Sequence, residues 1–187
     1  MEFVTLDGVM QGFDAPDTDD PVFPHGGWGN AYMDHTMGEA GAQGQVSTTA
    51  YLFGRRTYER LASFWPHQGE ENMMAVHLNR TPKYVATRTL STLAWEPAER
   101  LQGELTPAVR ALKEQGDGTI VVLGSGELVQ QLLAAGLVDG FTLFVHPLVL
   151  GTGKRLFRDV PTPIRLDLAD VTRSGTGVLI LRYAAAA

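Results

Sequence analysis

Three short stretches of this chain join backbone freedom to positive charge or a hydroxyl, the combination that holds a phosphate. The first is Phe53-Gly54-Arg55-Arg56-Thr57, where an apolar run meets a glycine, two arginines and a helix start. Glycine lets backbone approach a ligand, a helix N-terminus presents N–H groups, and guanidinium forks match phosphate oxygens. The second is Ala86-Thr87-Arg88, a hydroxyl and a guanidinium at the end of an apolar run, suited to a phosphate monoester. The third is Leu123-Gly124-Ser125-Gly126-Glu127-Leu128, a glycine turn opening an amphipathic segment, suited to a pyrophosphate. Singly, each has an ordinary reading, because glycines serve strand-to-helix turns for geometric reasons alone. Three at equivalent positions point to one ligand with several phosphates.

Two other phosphate motifs fail on counting. A dinucleotide fingerprint starting at Gly124 needs a small residue at position 129, where Val129 stands. A P-loop ending in Gly153-Lys154 needs glycine at 148 and Ser or Thr at 155, but the chain has Leu148 and Arg155. No acidic residue is placed to hold a ribose hydroxyl pair, and Arg88 instead suits a 2′-phosphate, which selects NADPH over NADH.

Among the carboxylates, Asp7 follows an apolar run and precedes Gly8, so it reads equally as a turn residue and as a catalytic group. Asp34 sits in a helical stretch, where a solvated charge is the ordinary reading. Asp14, Asp17, Asp19 and Asp20 are spaced without the glycine and closing glutamate of a calcium loop, and read as a solvated loop. His25, His35, His67, His77 and His146 include no pair at metal-ligand spacing, and His146 beside Pro147 reads as structural. Trp28 and Trp65 read as core fillers or pocket walls.

The elements that must carry these groups alternate. Val4 to Leu6 ends a first strand, and residues 10 to 30, rich in glycine, proline and aspartate, form a long loop. Ala31 to Ala42 is helix-compatible, Ala50 to Phe53 is a buried strand, and Thr57 to Phe64 and Glu71 to Leu78 have helical spacing. Lys83 to Thr87 is a strand, and Thr106-Pro107 reads as a hydroxyl cap followed by proline at a helix start, with Gly116 as the stop. Thr119 to Leu123, nearly all β-branched, predicts a strand covered on both faces, and Leu128 to Leu133 a helix stopped by Gly136. Phe141 to His146 is a strand, and Leu166 to Thr172 with Val178 to Tyr183 a hairpin through Ser174 to Gly177, leaving Ala184 to Ala187 as a frayed tail. The pattern predicts one α/β domain over 1–187, with a mixed, mainly parallel central sheet, helices on both faces and an antiparallel C-terminal hairpin. Ligands of such sheets bind beyond the carboxyl ends of the strands.

Composition narrows the classes. A chain of 187 residues, 44% hydrophobic and 19% charged, is long and apolar enough for one packed domain. No apolar run reaches membrane-spanning length and the N-terminus lacks a signal-peptide pattern, so the expected location is cytoplasmic. Zero cysteines exclude disulfides, thiolate metal sites and a cysteine nucleophile. A net charge of −6 argues against nucleic acid as a partner, so an anionic ligand must be held by local positive charge.

These stretches resemble a known family. Leu52-Phe53-Gly54-Arg55-Arg56-Thr57-Tyr58-Glu59 is similar to the strand and helix start of dihydrofolate reductases, Val121 to Gly126 to their glycine-pair turn, and Val85-Ala86-Thr87-Arg88 to their 2′-phosphate segment. Closer still, Leu6-Asp7-Gly8, Leu128-Val129-Gln130 and His146-Pro147 through Phe157 resemble the bacterial dihydrofolate-reductase-like proteins of the riboflavin-biosynthesis reductase (RibD C-terminal domain) family. The resemblance spans nearly the whole chain. It implies a dihydrofolate-reductase-like fold and an NADPH-dependent oxidoreductase acting on a pterin-like or ribosylamino-pyrimidine-like heterocycle, as a homodimer. It places Gly54, Arg55, Arg56 and Thr57 on the cofactor phosphates, Thr87 and Arg88 on the 2′-phosphate, and Gly124, Ser125, Gly126, Glu127 and Leu128 on the pyrophosphate. The nicotinamide would then lie near Leu6 and Asp7, with Asp7 or Asp34 as the carboxylate facing substrate and the loop from Gly12 to Gly29 as a lid. The chain departs from true dihydrofolate reductases in the spacing of Asp34 to Gly54 and in having Gly27-Trp28-Gly29 where those enzymes carry a tryptophan-proline pair. The fold without turnover, a nucleotide-binding module, is the alternative function.

Overall fold

The computed structural model describes residues 1–16, 20–158 and 162–186. Along the chain run β1 (Glu2–Thr5), α1 (His35–Gln45), β2 (Thr48–Gly54), α2 (Arg55–Ala62), α3 (Met73–Arg80) and β3 (Lys83–Ala86). Then follow β4 (Ala98–Arg100), α4 (Leu105–Lys113), β5 (Thr119–Val122), α5 (Gly126–Ala134), β6 (Gly140–His146), β7 (Leu166–Arg173) and β8 (Leu179–Ala185). Two compact units emerge, one from Met1–Ala40 with Val129–Ala187, the other from Gly41–Leu128.

In the first unit the strand order is β1-β6-β8-β7. β1 runs parallel to β6, with Thr5 opposite His146, and β6, β8 and β7 pair antiparallel. Met37 and Ala40 of α1 bury against Phe144 of β6, Ile180 of β8 and Val178 just before β8. β7 is the edge strand, and its Asp167 and Asp170 are exposed there, a placement that discourages pairing with another chain. β8 continues to Ala185, and the Ala186 amide donates to the Arg165 carbonyl, so the terminal alanines expected to fray extend the hairpin instead. Ala187 lies outside the described residues.

α1 starts at His35, not at Ala31, because Asp34 caps it: Oδ1 accepts the Met37 amide at 3.0 Å, while Asn30–Tyr32 form a 3-10 turn. The long loop before it is tied end to end. The Gly27 and Gly29 amides donate to the Gly12 and Phe13 carbonyls at 2.7 and 2.8 Å, and Trp28 Nε1 donates to the Gln11 carbonyl at 2.7 Å. Phe23 and Trp28 bury against Val9, making a compact loop with its own apolar interior. Gly153 is required beside it, since a Cβ there would lie 2.7 Å from both Phe23 and Val9 at φ +114. Trp28 is therefore core. His146 sits edge-on to the rings of Phe13, Trp28 and Tyr32, and its Nδ1 lies 3.1 and 2.9 Å from the Val4 and Phe144 carbonyls. Two acceptors at Nδ1 require the proton there, and burial pushes the imidazole pKa down, so His146 is neutral and structural.

In the second unit β4-β3-β2-β5 form an all-parallel sheet. Tyr51, Leu52, Phe53, Tyr58, Leu78, Val85 and Trp95 fill its core. The polar ends of the aromatic residues are paired: the Trp95 amide donates to Tyr58 Oη at 2.8 Å and Trp95 Nε1 to Asn79 Oδ1 at 2.7 Å. Two local expectations are corrected. β5 is only half-buried along Ile120 to Val122, because it is a sheet edge and its β-branched run reflects strand propensity, not coverage on two faces. The N-cap of α4 is Glu104, not Thr106, and Pro107 sits within the first turn, where a missing N–H costs nothing. β4 carries too few apolar residues to be read from periodicity.

Lys83 is fully buried at the start of β3, with Nζ donating to the Thr81 carbonyl at 2.9 Å and lying 4.6 Å from the Trp95 ring centroid. Burial pulls its pKa down to about 8. The burial penalty on the ammonium is thus fully present below about pH 8 and fades between about 8 and 10.5. Lys83→Met is expected to leave stability unchanged or raise it by up to ~2 kcal/mol at pH 7, with a smaller gain at pH 10. Urea titrations at both pH values measure this, and a loss above ~2 kcal/mol at pH 7 would show the ammonium to be net stabilising.

Candidate nucleotide site

Parallel pairing puts the carboxyl ends of β5, β2 and β3 along one edge of the second unit's sheet. Gly54 lies opposite Ala86, one residue before Thr87, and Leu52 lies opposite Val122, two residues before Gly124. With strands about 4.8 Å apart, the three turns fall within roughly 10 Å of one another. The Gly54 amide donates to Ser125 Oγ at 3.0 Å, joining the first and third directly. The sequence-predicted phosphate residues Gly54, Arg55, Arg56, Thr57, Thr87, Arg88, Gly124, Ser125, Gly126, Glu127 and Leu128 are thereby gathered on one sheet edge.

Their individual situations differ. Gly54 is the N-cap of α2, with φ −76, and no side chain caps that helix end. A Cβ at 54 would meet only Ser125, at 3.6 and 3.7 Å, so neither backbone angle nor packing within the chain demands glycine there. Gly124, at φ +68, needs glycine for conformation, and its missing Cβ would lie 3.4 Å from Thr57 Cγ2. Arg55 pairs along α2 with Glu59 at 2.7 Å, and Arg56 is exposed in the same first turn. Thr87 Oγ1 accepts the Thr89 and Leu90 amides at 3.2 and 3.1 Å, which closes its turn and keeps the hydroxyl proton as a donor. The Arg88 side chain is 90% exposed, with Nη2 at 3.7 Å from Glu104 Oε2, an open pair that contributes little by itself. Glu127 is exposed in the first turn of α5, whereas Leu128 is buried and its amide is already taken by the Ser125 carbonyl at 2.8 Å.

Leu6, Asp7 and Asp34 belong to the other unit. Leu6 is 68% exposed, and its amide donates to the Leu148 carbonyl. Asp7 is an anchor. Its Oδ1 accepts the Thr5 hydroxyl at 2.6 Å and the Leu150 amide at 3.2 Å, and its Oδ2 accepts the Gly151 amide at 2.9 Å. Arg155 adds a hydrogen bond from Nε to the Asp7 carbonyl at 2.9 Å and an ion pair at 3.6 Å. The Thr5 hydroxyl first, then the backbone amides, hold the Asp7 pKa down at about 2, so at neutral pH it carries no proton to give. Asp34 caps α1, and its Oδ2 accepts the Thr176 amide at 3.3 Å from the hairpin turn. The Met37 amide first, with the turn amides and Ser174, holds its pKa down as well. The geometry therefore gives both carboxylates structural partners. Of the acidic loop residues, Asp20 accepts from Gln11 Nε2 at 3.0 Å, while Asp17 and Asp19 lie outside the described residues.

Sequence reasoning missed Gln11. It is buried, and its side chain ties Asp20 to the Lys154 amide, to which Oε1 is bonded at 3.0 Å. A lone glutamine in a loop carries no local signal of that role. No helix among the described residues is long and apolar enough to cross a membrane.

A mixed, mainly parallel α/β structure with these strand-end turns and an antiparallel C-terminal hairpin is the dihydrofolate-reductase-like fold expected from the sequence. The chain belongs to the RibD C-terminal domain family, whose pattern matches residues 2–180. It is 29% identical over 185 residues to the uncharacterized protein YyaP of Bacillus subtilis, an alignment that covers 96% of this chain and 90% of that protein. Its fold is similar to that of a putative riboflavin biosynthesis protein from Shewanella sp. PV-4, with TM-score 0.71 and 15% identity, covering 100% of this chain and 97% of that one. It is also similar to the diaminohydroxyphosphoribosylaminopyrimidine deaminase/5-amino-6-(5-phosphoribosylamino)uracil reductase of Thermotoga maritima, with TM-score 0.65 and 15% identity, over 99% of this chain and 55% of that one.

Proposed function

We propose that this protein is an NADPH-dependent reductase that delivers a hydride to a small pterin-like or ribosylamino-pyrimidine-like heterocycle. The observation that carries this reading is the parallel register that brings Gly54, Thr87 and Gly124 to one sheet edge, with Arg56 and Arg88 exposed beside them. The donor set fits a dinucleotide carrying a third phosphate: helix starts and a glycine turn for the pyrophosphate, and a hydroxyl with a guanidinium for the 2′-phosphate. Bound there, the cofactor would supply the hydride, and the chain's own work would be to hold and orient it and to keep water away.

The test is a titration of NADPH and NADH, followed by fluorescence or by shift in melting temperature. Tighter binding of NADPH is expected, and stabilisation by NADH alone would overturn the 2′-phosphate assignment. Arg88→Ala is expected to weaken NADPH by roughly 10-fold to 100-fold, the worth of one charge-assisted hydrogen bond, and to leave NADH unchanged. An unaltered NADPH affinity would remove Arg88 from the site.

A second reading is a nucleotide-binding module without turnover. The engagement of both Asp7 and Asp34 as anchors favours it, since neither is left as a proton donor. A screen of dihydrofolate, other pterins and the ribosylamino-pyrimidine for NADPH oxidation separates the two. Binding of NADPH with no oxidation by any of them would select the module.

A further inference from the structure

His146 ends β6 inside a cage of rings. Phe3 of β1, Phe13 and Trp28 of the loop after β1, and Tyr32 of the 3-10 turn have ring centroids 6.3, 5.5, 5.0 and 5.4 Å from the imidazole. The residue is fully buried. Its Nδ1 proton is engaged by the Val4 and Phe144 carbonyls, while Nε2 is buried and meets no hydrogen-bond partner among the described residues. A neutral ring leaves one acceptor unmet there, whereas an imidazolium would bury a charged N–H without an acceptor, a far costlier state. The loop rests on this ring. Phe13 stacks on Phe3 at 4.2 Å and meets Trp28 edge-on at 5.3 Å, and the Gly27 and Gly29 amides close the loop on the Gly12 and Phe13 carbonyls.

We propose that His146 is an acid-sensitive latch: neutral, it seats Phe13 and Trp28 on β1 and β6, and protonated at Nε2 it leaves the cage and frees both. The charged groups on the surrounding elements are engaged elsewhere. Glu2 lies on the opposite face of β1 from Phe3 and Thr5. Asp7 is held by the Thr5 hydroxyl and the Leu150 and Gly151 amides, with Arg155 turned to it, and Asp34 by the Met37 and Thr176 amides. Asp20 accepts from Gln11, Asp14 and His25 are exposed, and His35 pairs with Glu39 at 3.3 Å. The Tyr32 phenol is the other titratable group in the cage, and acid adds no charge to it. Burial also pulls the imidazole below the ordinary 6.5, so the closed loop declines a proton that the open loop takes up, and falling pH favours opening. The latch is independent of the nucleotide reading above.

Amide exchange at Gly27 and Gly29, followed by NMR and corrected for the intrinsic rate at each pH, tests the latch. Uptake of one proton on opening predicts a loss of protection of up to roughly 25-fold between pH 7 and pH 5. His146→Asn keeps a donor for the two carbonyls and cannot become charged, so the pH dependence should vanish. His25→Gln removes the exposed imidazole of the same loop and should leave the dependence intact. The ring reports on itself in the parent protein: its nitrogen signals should show the Nδ1–H tautomer at pH 7 and change to the charged form in step with the loss of protection. Protection that stays constant from pH 7 to pH 5, or that falls equally in His146→Asn, would overturn the proposal. So would an imidazole that becomes charged while Gly27 and Gly29 stay protected, since the rings would then be holding the cation. Should His146→Asn fail to fold, the ring signals of the parent decide alone.

Discussion

Glu2→Gln is expected to raise stability by about 3 kcal/mol at pH 7 and to change nothing at pH 4. Glu2 is 1% exposed on β1, and neither carboxylate oxygen has a hydrogen-bond partner. Burial pushes its pKa up to about 8, with the terminal ammonium of Met1 pulling the other way. At pH 7 the folded protein therefore holds a proton that the unfolded chain, titrating at 4.5, has released. For a carboxyl with a raised folded pKa, its contribution is fully present below 4.5 and is lost as pH rises towards 8. Glutamine keeps the shape and carries no such linkage, so its advantage should grow across that window. Urea unfolding at pH 4, 7 and 8.5 measures it. Equal stability of the two proteins at pH 7 would show that the carboxylate finds compensation in solution.

The second large effect runs in the opposite direction. Asp7→Ala is expected to lose about 2 kcal/mol near neutral pH, corresponding to a pKa lowered from 3.8 to about 2 in a side chain only 18% exposed. Here the sign reverses: the stability is present above 3.8 and disappears as pH falls towards about 2. The loss should be local first. The Leu150 and Gly151 amides, both bonded to this carboxylate, should lose protection in hydrogen exchange before the rest of the first unit. If Asp7→Ala left those amides protected while abolishing NADPH oxidation, the carboxylate would be acting on substrate and not on the loop.

Local patterns revealed much of this protein. Strand and helix types came through where the apolar pattern was strong, as in the continuous buried run Tyr51 to Phe53 and the one-face spacing of Val109 and Leu112, because burial selects apolar residues at each covered position. The three turns read as candidate phosphate sites were visible as local motifs, because glycine, hydroxyl and arginine stand together at the bend itself, within a few positions. The start of α1, set by the Asp34 cap, was not, since several neighbouring residues could have served, nor was that of α4, where Glu104 holds the N-cap position without a side-chain hydrogen bond.

Asp7 and Asp34 show the division most clearly. From the letters Asp7 reads equally as a turn residue and a catalytic group and Asp34 as a solvated charge on a helix, and partners that hold both in the fold lie more than a hundred positions away, at Gly151 and Thr176. Ser125 is the converse case, its place in the glycine turn plain from the sequence and its tie to Gly54 invisible there. What a residue can do chemically follows from its type, and what it does follows from which distant atoms the sheet register delivers to within 3 Å of it.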